Sequence, residues 1–348
     1  MKVLFLIEGL ISPASRYRVL QFLPACDQAG IDYDVCPMHG SSYPAVYYRP
    51  RLGKLYKALV RSRRYFQRVS DYDLVFQQRL TLPFSAVVEK RLVARNPNFV
   101  FDFDDAIFQT ESGGSGPEAT FNQVISLARH VVAGNEYLAE RAAQPTKTTI
   151  IPTIIDTDRY RPAPLSEPEQ PLTIGWMGTA GNYPNFAPLL PVLERLLQAF
   201  PAWRFKIVSD RPPPFQLPNM VFEKWTAVGE IPALASFHIG LMPLKDTEWN
   251  RGKCAFKLIQ YMALGLPVVA SGVGSNRQVV GHGESGFLAA APDEWEAHLV
   301  SLLEDAELRR RLGEKGRIRC VDHYSLNSQK ARFINILREN ARTGCYIL

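Results

Sequence analysis

Cysteine is scarce: the 348-residue chain has five (Cys26, Cys36, Cys254, Cys320 and Cys345), an odd number with no CxxC spacing. That excludes a disulfide framework and an ordinary zinc site, so the thiols are expected to be reduced. The histidines, such as His282 in "GHGESG", show no ligand spacing, and no metal is expected. Long apolar runs are also missing. "LTLPFSAVV" falls well short of the roughly 20 residues that span a bilayer, and "MKVLFLIEGL" reaches Glu8 too early for a signal peptide. A cytoplasmic protein is the expectation. Neither "IEGLISPASR" nor "IGWMGTAGN" supplies the GxGxxG turn with an acid about twenty residues on, which argues against a nicotinamide-dependent dehydrogenase. Acid is absent from one stretch altogether: residues 49–68 carry eight cations and no carboxylate.

The residues that are present describe an ordinary globular chain, 46% hydrophobic and 21% charged with a net charge of +6. Short apolar β-rich runs ("KVLFLIEG", "IDYDVCPM", "YDLVFQQ", "NFVFDFDD", "HVVAGN", "TTIIPT") alternate with helical spacing in "SRYRVLQFLPACDQAG", "PFSAVVEKRLVARN" and "ATFNQVISLARH". This alternation implies right-handed crossovers and a parallel sheet whose functional face lies at the strands' C-terminal ends. A proline- and charge-rich linker is expected at 156–171, after a first domain at 1–155. The pattern then restarts with "LTIGWMG" and "NFAPLLPVLERLLQAFP", giving a second α/β domain at 172–325. A terminal helix over 326–348 follows. Within 49–68, Leu52, Leu55, Tyr56, Leu59 and Val60 fall at helical spacing among the cations. Such a helix suits either an anionic membrane surface or a solvated face; nucleic acid is not expected as a partner.

Five segments carry polar groups where a parallel sheet would place its site. "IGWMGTAGN" leaves a strand through Gly178 and Thr179, where small residues let phosphate oxygens approach backbone N–H groups. "EWNRGKCAFKLIQYMALGLPVVAS" sets Arg251, Lys253 and Lys257 ahead of an apolar helix, so they are either phosphate ligands or a solvated turn. A cation in the first helical turn opposes the helix dipole unless an anion offsets it, which favours the phosphate reading for Lys257 and, with it, Arg251, and leaves Lys253 open between the two. "FVFDFDDAIF" ends a strand in Asp102, Asp104 and Asp105, which suits hydroxyl contact, helix capping or a metal. "SPASRYR" and "QQRL" place Ser15, Arg16, Arg18 and Arg79 at neighbouring strand ends. These four meet an anionic acceptor or donor phosphates, or else cap and solvate.

Taken in order, "VLQFLPACDQAGIDYDV", "GNEYLAERA", "IIPTIIDTDRYRP", "FKLIQYMALGLPVVAS", "GESGFLA" and "LRRRLGEKGR" resemble the retaining GT-B glycosyltransferases of the large group-one family (family four type) over nearly the whole chain. The resemblance implies an α/β GT-B fold of two Rossmann-like domains whose parallel sheets face a central cleft. It also implies a nucleotide-sugar donor and a last helix that crosses back to the first domain. The family's two glutamates that grip the ribose and the transferred sugar fall on Gln260 and Gly252, and its loop cations are absent from "GTAGNYPN". Gln260 accepts a hydrogen bond without a carboxylate's charge. Arg251, Lys253 and Lys257 are then the available partners for the diphosphate. Asp104 and Asp105 stand where the family often carries a His-Asp pair facing sugar and acceptor.

The expected activity is metal-independent transfer of a sugar to a glycan or lipid-linked hydroxyl with retention, in polysaccharide or glycoconjugate assembly at the inner face of a membrane. The competing expectation, prompted by the missing glutamates and loop cations, is a nucleotide-sugar-binding protein without transferase activity.

Overall fold

The structure, a computed structural model, describes residues 1–38, 68–110, 117–162 and 171–341. Most of the basic stretch, 49–67, lies outside the described residues, as do 163–170 of the expected linker and 342–348. Contacts divide the chain into two units: Met1–Ile154 with Gly252–Cys254 and Gln329–Leu348, and Ile155–Arg251 with Ala255–Ser328.

The first unit is built on six parallel strands: β1 (Lys2–Ile7), β2 (Asp32–Pro37), β3 (Leu74–Gln78), β4 (Phe99–Phe103), β5 (His130–Ala133) and β6 (Thr148–Ile150), in the order β2-β1-β3-β4-β5-β6. β3 and β4 are buried along their whole length; their apolar residues form core, while Gln77, Gln78 and Asp102 are buried with hydrogen-bond partners. The order reverses between β1 and β3, and ligands of such sheets bind beyond the strand ends at that point. The helical segment after β1 is broken into Pro13–Arg18, Leu20–Phe22 and Leu23–Gln28 because Val19 leaves helical geometry (φ −129°) and Pro24 follows. From Gln329 onward the helix Leu326–Asn340 belongs to this unit. Its Phe333 stacks on Phe22 with ring centroids 4.2 Å apart and packs against Phe5 and Phe76.

The second unit carries β7 (Leu172–Met177), β8 (Trp203–Ser209), β9 (Met220–Lys224), β10 (Ile239–Met242), β11 (Val268–Ser271) and β12 (Phe287–Ala289), all parallel, in the order β12-β11-β10-β7-β8-β9. This is the doubly wound dinucleotide-fold order, with its reversal between β7 and β10. Alternate strand residues feed two separate cores. Phe205, Ile207, Leu241 and Val269 join the cluster under helix Leu190–Ala199, while Val208, Met242, Val268 and Ala270 join the one under helix Phe256–Ala263. The segment "EWEAHLVSLLEDAELRRRLGEKGRIRC" (294–320), which reads as one helix, lies in two, Pro292–Glu304 and Ala306–Tyr324. They part at Asp305, whose carboxylate accepts the Leu308 N–H at 2.9 Å and caps the second.

Candidate active site

Both sheets gather polar residues where their strand order reverses. In the first unit β1 ends into Glu8, β3 into Arg79 and β4 into Asp104 and Asp105. Arg79 sits among the three acids: its Nε donates to Asp104 Oδ1 at 3.0 Å, its Nη2 to Asp105 Oδ2 at 2.5 Å, and its Nη1 lies 3.5 Å from Glu8 Oε1. It does so from left-handed backbone geometry (φ 59°), uncommon for a residue with a side chain and costing roughly 1 kcal/mol or more. Glu8 is buried and also accepts from Ser12 Oγ. Burial raises the Asp105 pKa; the Arg79 guanidinium pulls it down, the Asp104 charge pushes it up, and Lys253 and Glu8 act in turn more weakly.

Beneath this cluster lies a second pair. The guanidinium of Arg18 is 2% exposed and grips the Asp102 carboxylate from two nitrogens, with Nη1 donating to the Ile151 carbonyl. Burial works against the Arg18 charge, but Asp102 more than reverses it and the pKa is raised; burial raises Asp102 against the pull of Arg18. An arginine does not release its proton in a protein, so we take the pair as charged.

Arg18 is therefore a structural cation and does not reach an incoming anion. Ser15 is fully buried as well: its hydroxyl donates to Gln78 Oε1 at 2.8 Å and accepts the Gly9 N–H, while the residue at the helix N-cap is Ser12. Arg16 is half-buried and lies over the Tyr17 ring. Of the four residues expected at these strand ends, only Arg79 joins the acidic cluster. Glu8 joins it unforeseen, although an acid closing the first apolar run was a visible signal.

The tripeptide Gly252–Cys254 packs with this unit. Asn135 holds it: its Oδ1 caps helix Glu136–Ala142 through Leu138 N–H, and its Nδ2 donates to the Gly252 and Lys253 carbonyls at 3.2 and 3.3 Å. Cys254 Sγ donates to the Asp104 carbonyl at 3.1 Å, and burial raises the thiol pKa, keeping it neutral. A Cβ on Gly252 would lie 2.7 Å from Ala106 Cβ and 2.9 Å from its nitrogen, so no glutamate fits there. Asn250, two residues earlier, is committed elsewhere: its amide donates to Asn185 Oδ1 and the Lys245 carbonyl.

In the second unit the corresponding strand end is cationic. Tyr261 lies on helix Phe256–Ala263 and its hydroxyl accepts the Met177 N–H at 3.0 Å, tying the helix to the end of β7. Lys257, in the first turn, then extends across Gly178. A Cβ on Gly178 would lie 2.5 Å from Lys257 Cε, and Lys257 Nζ is 5.7 Å from the Trp176 ring centroid. Gln260 follows three residues later on the same helix and is buried.

The three expected donor cations part company. Arg251 makes an exposed two-point pair with Asp246 at 2.6 and 3.1 Å, and Lys253 falls in the first unit where it acts on Asp105. The expected role of backbone N–H groups also needs correction. Gly178 N–H continues the ladder to the Val208 carbonyl at 3.0 Å, and Ala180 N–H donates to Asp210 Oδ1 at 2.7 Å. Thr179 precedes the short helix Ala180–Phe186 and its hydroxyl accepts from Asn182 Nδ2. Lys257 is thus the cation that lies over this loop. Among the described residues no group of three His, Cys, Asp or Glu side chains is arranged to hold a metal ion.

The profile of the family described as "Glycosyl transferases group 1" matches residues 171–305. N-acetyl-alpha-D-glucosaminyl L-malate synthase of Bacillus anthracis is 36% identical over 89 residues, a match spanning 24% of this chain and 23% of that protein. HepE of Anabaena, crystallised with UDP and glucose, superposes with a TM-score of 0.69 at 16% identity, over 97% of this chain and 99% of that one. Sucrose-phosphate synthase of Thermosynechococcus elongatus superposes with a TM-score of 0.73 at 15% identity, again over 97% and 99%. The two parallel six-stranded sheets are those of the GT-B fold, and within the second sheet's unit residues 171–305 match the group 1 glycosyltransferase profile.

Proposed function

We propose that the chain transfers a sugar from a nucleotide-diphosphate donor to an acceptor hydroxyl with retention of anomeric configuration. The observation that carries this is Lys257 lying across Gly178 at the β7 strand end, inside the segment that matches the group 1 profile. The donor's C1–O bond to phosphate breaks and a C1–O bond to the acceptor forms on the same face. The nucleotide diphosphate leaves with the hydroxyl proton on its phosphate oxygen. Lys257 stabilises the charge that grows on that oxygen, as a preorganised cation does, and supplies it without a metal. Gln260 accepts from a ribose hydroxyl. Asp104 and Asp105, both oriented by Arg79, hold the acceptor hydroxyl; a carboxylate already paired with a guanidinium is a poor base but a good hydrogen-bond acceptor. HepE, crystallised with UDP and glucose, makes UDP-sugars the first donors to test. The acceptor in this reading is a glycan or a lipid-linked glycan of a polysaccharide or glycoconjugate.

The test is incubation of the purified protein with UDP-, GDP- and dTDP-sugars and an acceptor panel, following nucleotide diphosphate release. Release that needs both acceptor and Lys257 is expected. Calorimetric binding of a nucleotide-sugar with no release under any acceptor would overturn the proposal in favour of a binding protein.

A further inference from the structure

We infer that Glu89 is a positioning residue for the acidic end of the first sheet: through Gln77 and Thr81 it fixes the backbone that delivers the Arg79 guanidinium to Asp104 and Asp105. Glu89 stands in the first turn of helix Val87–Val93, which follows β3, and is fully buried. Acids are almost never buried unless their oxygens are used. Its Oε1 accepts the Thr81 N–H at 2.9 Å and Gln77 Nε2 at 2.7 Å. Gln77, buried near the end of β3, also donates from Nε2 to the Arg79 carbonyl at 3.0 Å and to Thr81 Oγ1 at 3.2 Å. The residue on which the cluster is built is thus held at its own carbonyl and again two positions on, at the N–H and hydroxyl of Thr81.

Arg79 needs that hold because its φ of 59° is a geometry that a residue with a side chain keeps only where its surroundings determine it. A return to ordinary right-handed or extended backbone would swing Cβ away and take the guanidinium out of reach of Asp104, Asp105 and Glu8. Burial apart, the charges that act most on Asp105 are those of Arg79, Asp104, Lys253 and Glu8, so Glu89 works on it through the loop. Its other oxygen, Oε2, has no hydrogen-bond partner among the described residues, so an amide in its place keeps the same lock. The positioning of Arg79 does not depend on the transferase reading. Its consequence for the acceptor rests on the proposal that Asp104 and Asp105 hold the acceptor hydroxyl.

The experiment compares Glu89→Gln and Glu89→Met in the full chain by arginine side-chain NMR, reading the Arg79 Nε–H signal, which is assigned by its loss in Arg79→Lys. Glu89→Gln should leave the signal in place. Glu89→Met, which offers no oxygen to Thr81 and Gln77, should move it to the position and fast water exchange of an exposed arginine at temperatures where the protein is folded. In turnover, Glu89→Met should raise the acceptor KM by roughly 10- to 10²-fold, as a misplaced binding group does, with the donor KM unchanged. An unmoved Arg79 signal in folded Glu89→Met, or an equal displacement in Glu89→Gln, would overturn the inference. Gln77→Met breaks the same links from the strand side and decides the matter if Glu89→Met does not fold: displacement supports the inference and an unmoved signal overturns it. A displaced signal with an unchanged acceptor KM would overturn the consequence for the acceptor alone. A parent that releases no nucleotide diphosphate would defeat the transferase reading and leave the NMR outcome decisive for the positioning.

Discussion

The two sheets are both parallel with one reversal of strand order, and they carry opposite electrostatics at that point. At the reversal in the first, Glu8, Asp104 and Asp105 surround one arginine, and a further aspartate is neutralised below by Arg18. At the reversal in the second, a lysine extends over a glycine, with one acid, Asp210, bound to the neighbouring backbone. A parallel sheet offers its strand ends as a platform, and the side chains there decide what it receives. The acid-rich end suits groups that donate hydrogen bonds, such as sugar hydroxyls. The lysine end suits a phosphate. The division of labour proposed above follows from that difference, and breaking either end separately is the way to test it.

The largest expected effect lies under the acidic end. Arg18→Met strands Asp102 in a site where both side chains are 1% exposed, which costs about 3–5 kcal/mol. Urea melts of the variant should show a loss of unfolding free energy of that size, and Asp102→Asn a smaller one, since the arginine can still reach the Ile151 carbonyl. If Arg18→Met melts like the parent, the pair is not the foundation of the cluster. At the other end, Lys257→Ala should lower turnover by roughly 10²–10³-fold, the range for losing one preorganised group at a developing anion, with little change in melting temperature. Lys257→Arg should recover part of that. Unchanged turnover in a folded Lys257→Ala would remove the phosphate role.

The contrast between the sheets also shows what was legible beforehand. Most strands with a continuous apolar run were readable, as were the Phe256–Ala263 helix and the restart of the pattern after the proline-rich segment. β9 was not, because "MVFEK" is half-exposed along its length and follows "RPPPFQLPN", which reads as loop. The helix Glu230–Ala235 was hidden by its brevity and internal proline. At the site, residue types were visible but commitments were not. Nothing in "SPASRYR" says that Ser15 faces Gln78 or that Arg18 turns inward to Asp102. Position 252 could be aligned with a glutamate, yet its closeness to Ala106 is a tertiary fact. The loop "GTAGN" looked ready for a phosphate because the chain does not announce that Val208 and Asp210 already take the N–H groups of Gly178 and Ala180.

An intermediate effect should distinguish the arginine from the acids it holds. Arg79→Ala removes the strongest influence lowering the Asp105 pKa, which burial already raises. A still higher carboxyl pKa means that the ionised form appears only at higher pH, so the acid limb of the activity profile should move upward. Stability should fall by roughly 2 kcal/mol, less than for Arg18 because these side chains are partly exposed. A drop in rate with no movement of the acid limb would mean that Arg79 shapes the loop without setting the charge of the aspartates.

The smallest effect concerns the second unit's sheet away from the site. His238 Nδ1 accepts the Thr173 N–H at 3.0 Å beside β7, and its ring meets Trp203 edge-on. Burial lowers its pKa, with Arg309 and then Arg204 adding to the effect. Because the folded-state value lies below the unfolded one of about 6.5, the folded form binds the proton less well. Its stabilising contribution is therefore complete above that pH and lost as the pH falls through it toward the folded value. Protonation of Nδ1 would also remove the acceptor for Thr173. Denaturation followed by tryptophan fluorescence should show the second unit weakening from pH 7.5 to 5.5. His238→Asn should be less stable at neutral pH but show a flatter dependence over that interval. If the variant retains the parent's slope, the acid sensitivity resides elsewhere, and the partly buried His298, whose pKa is also lowered by burial, becomes the next group to replace.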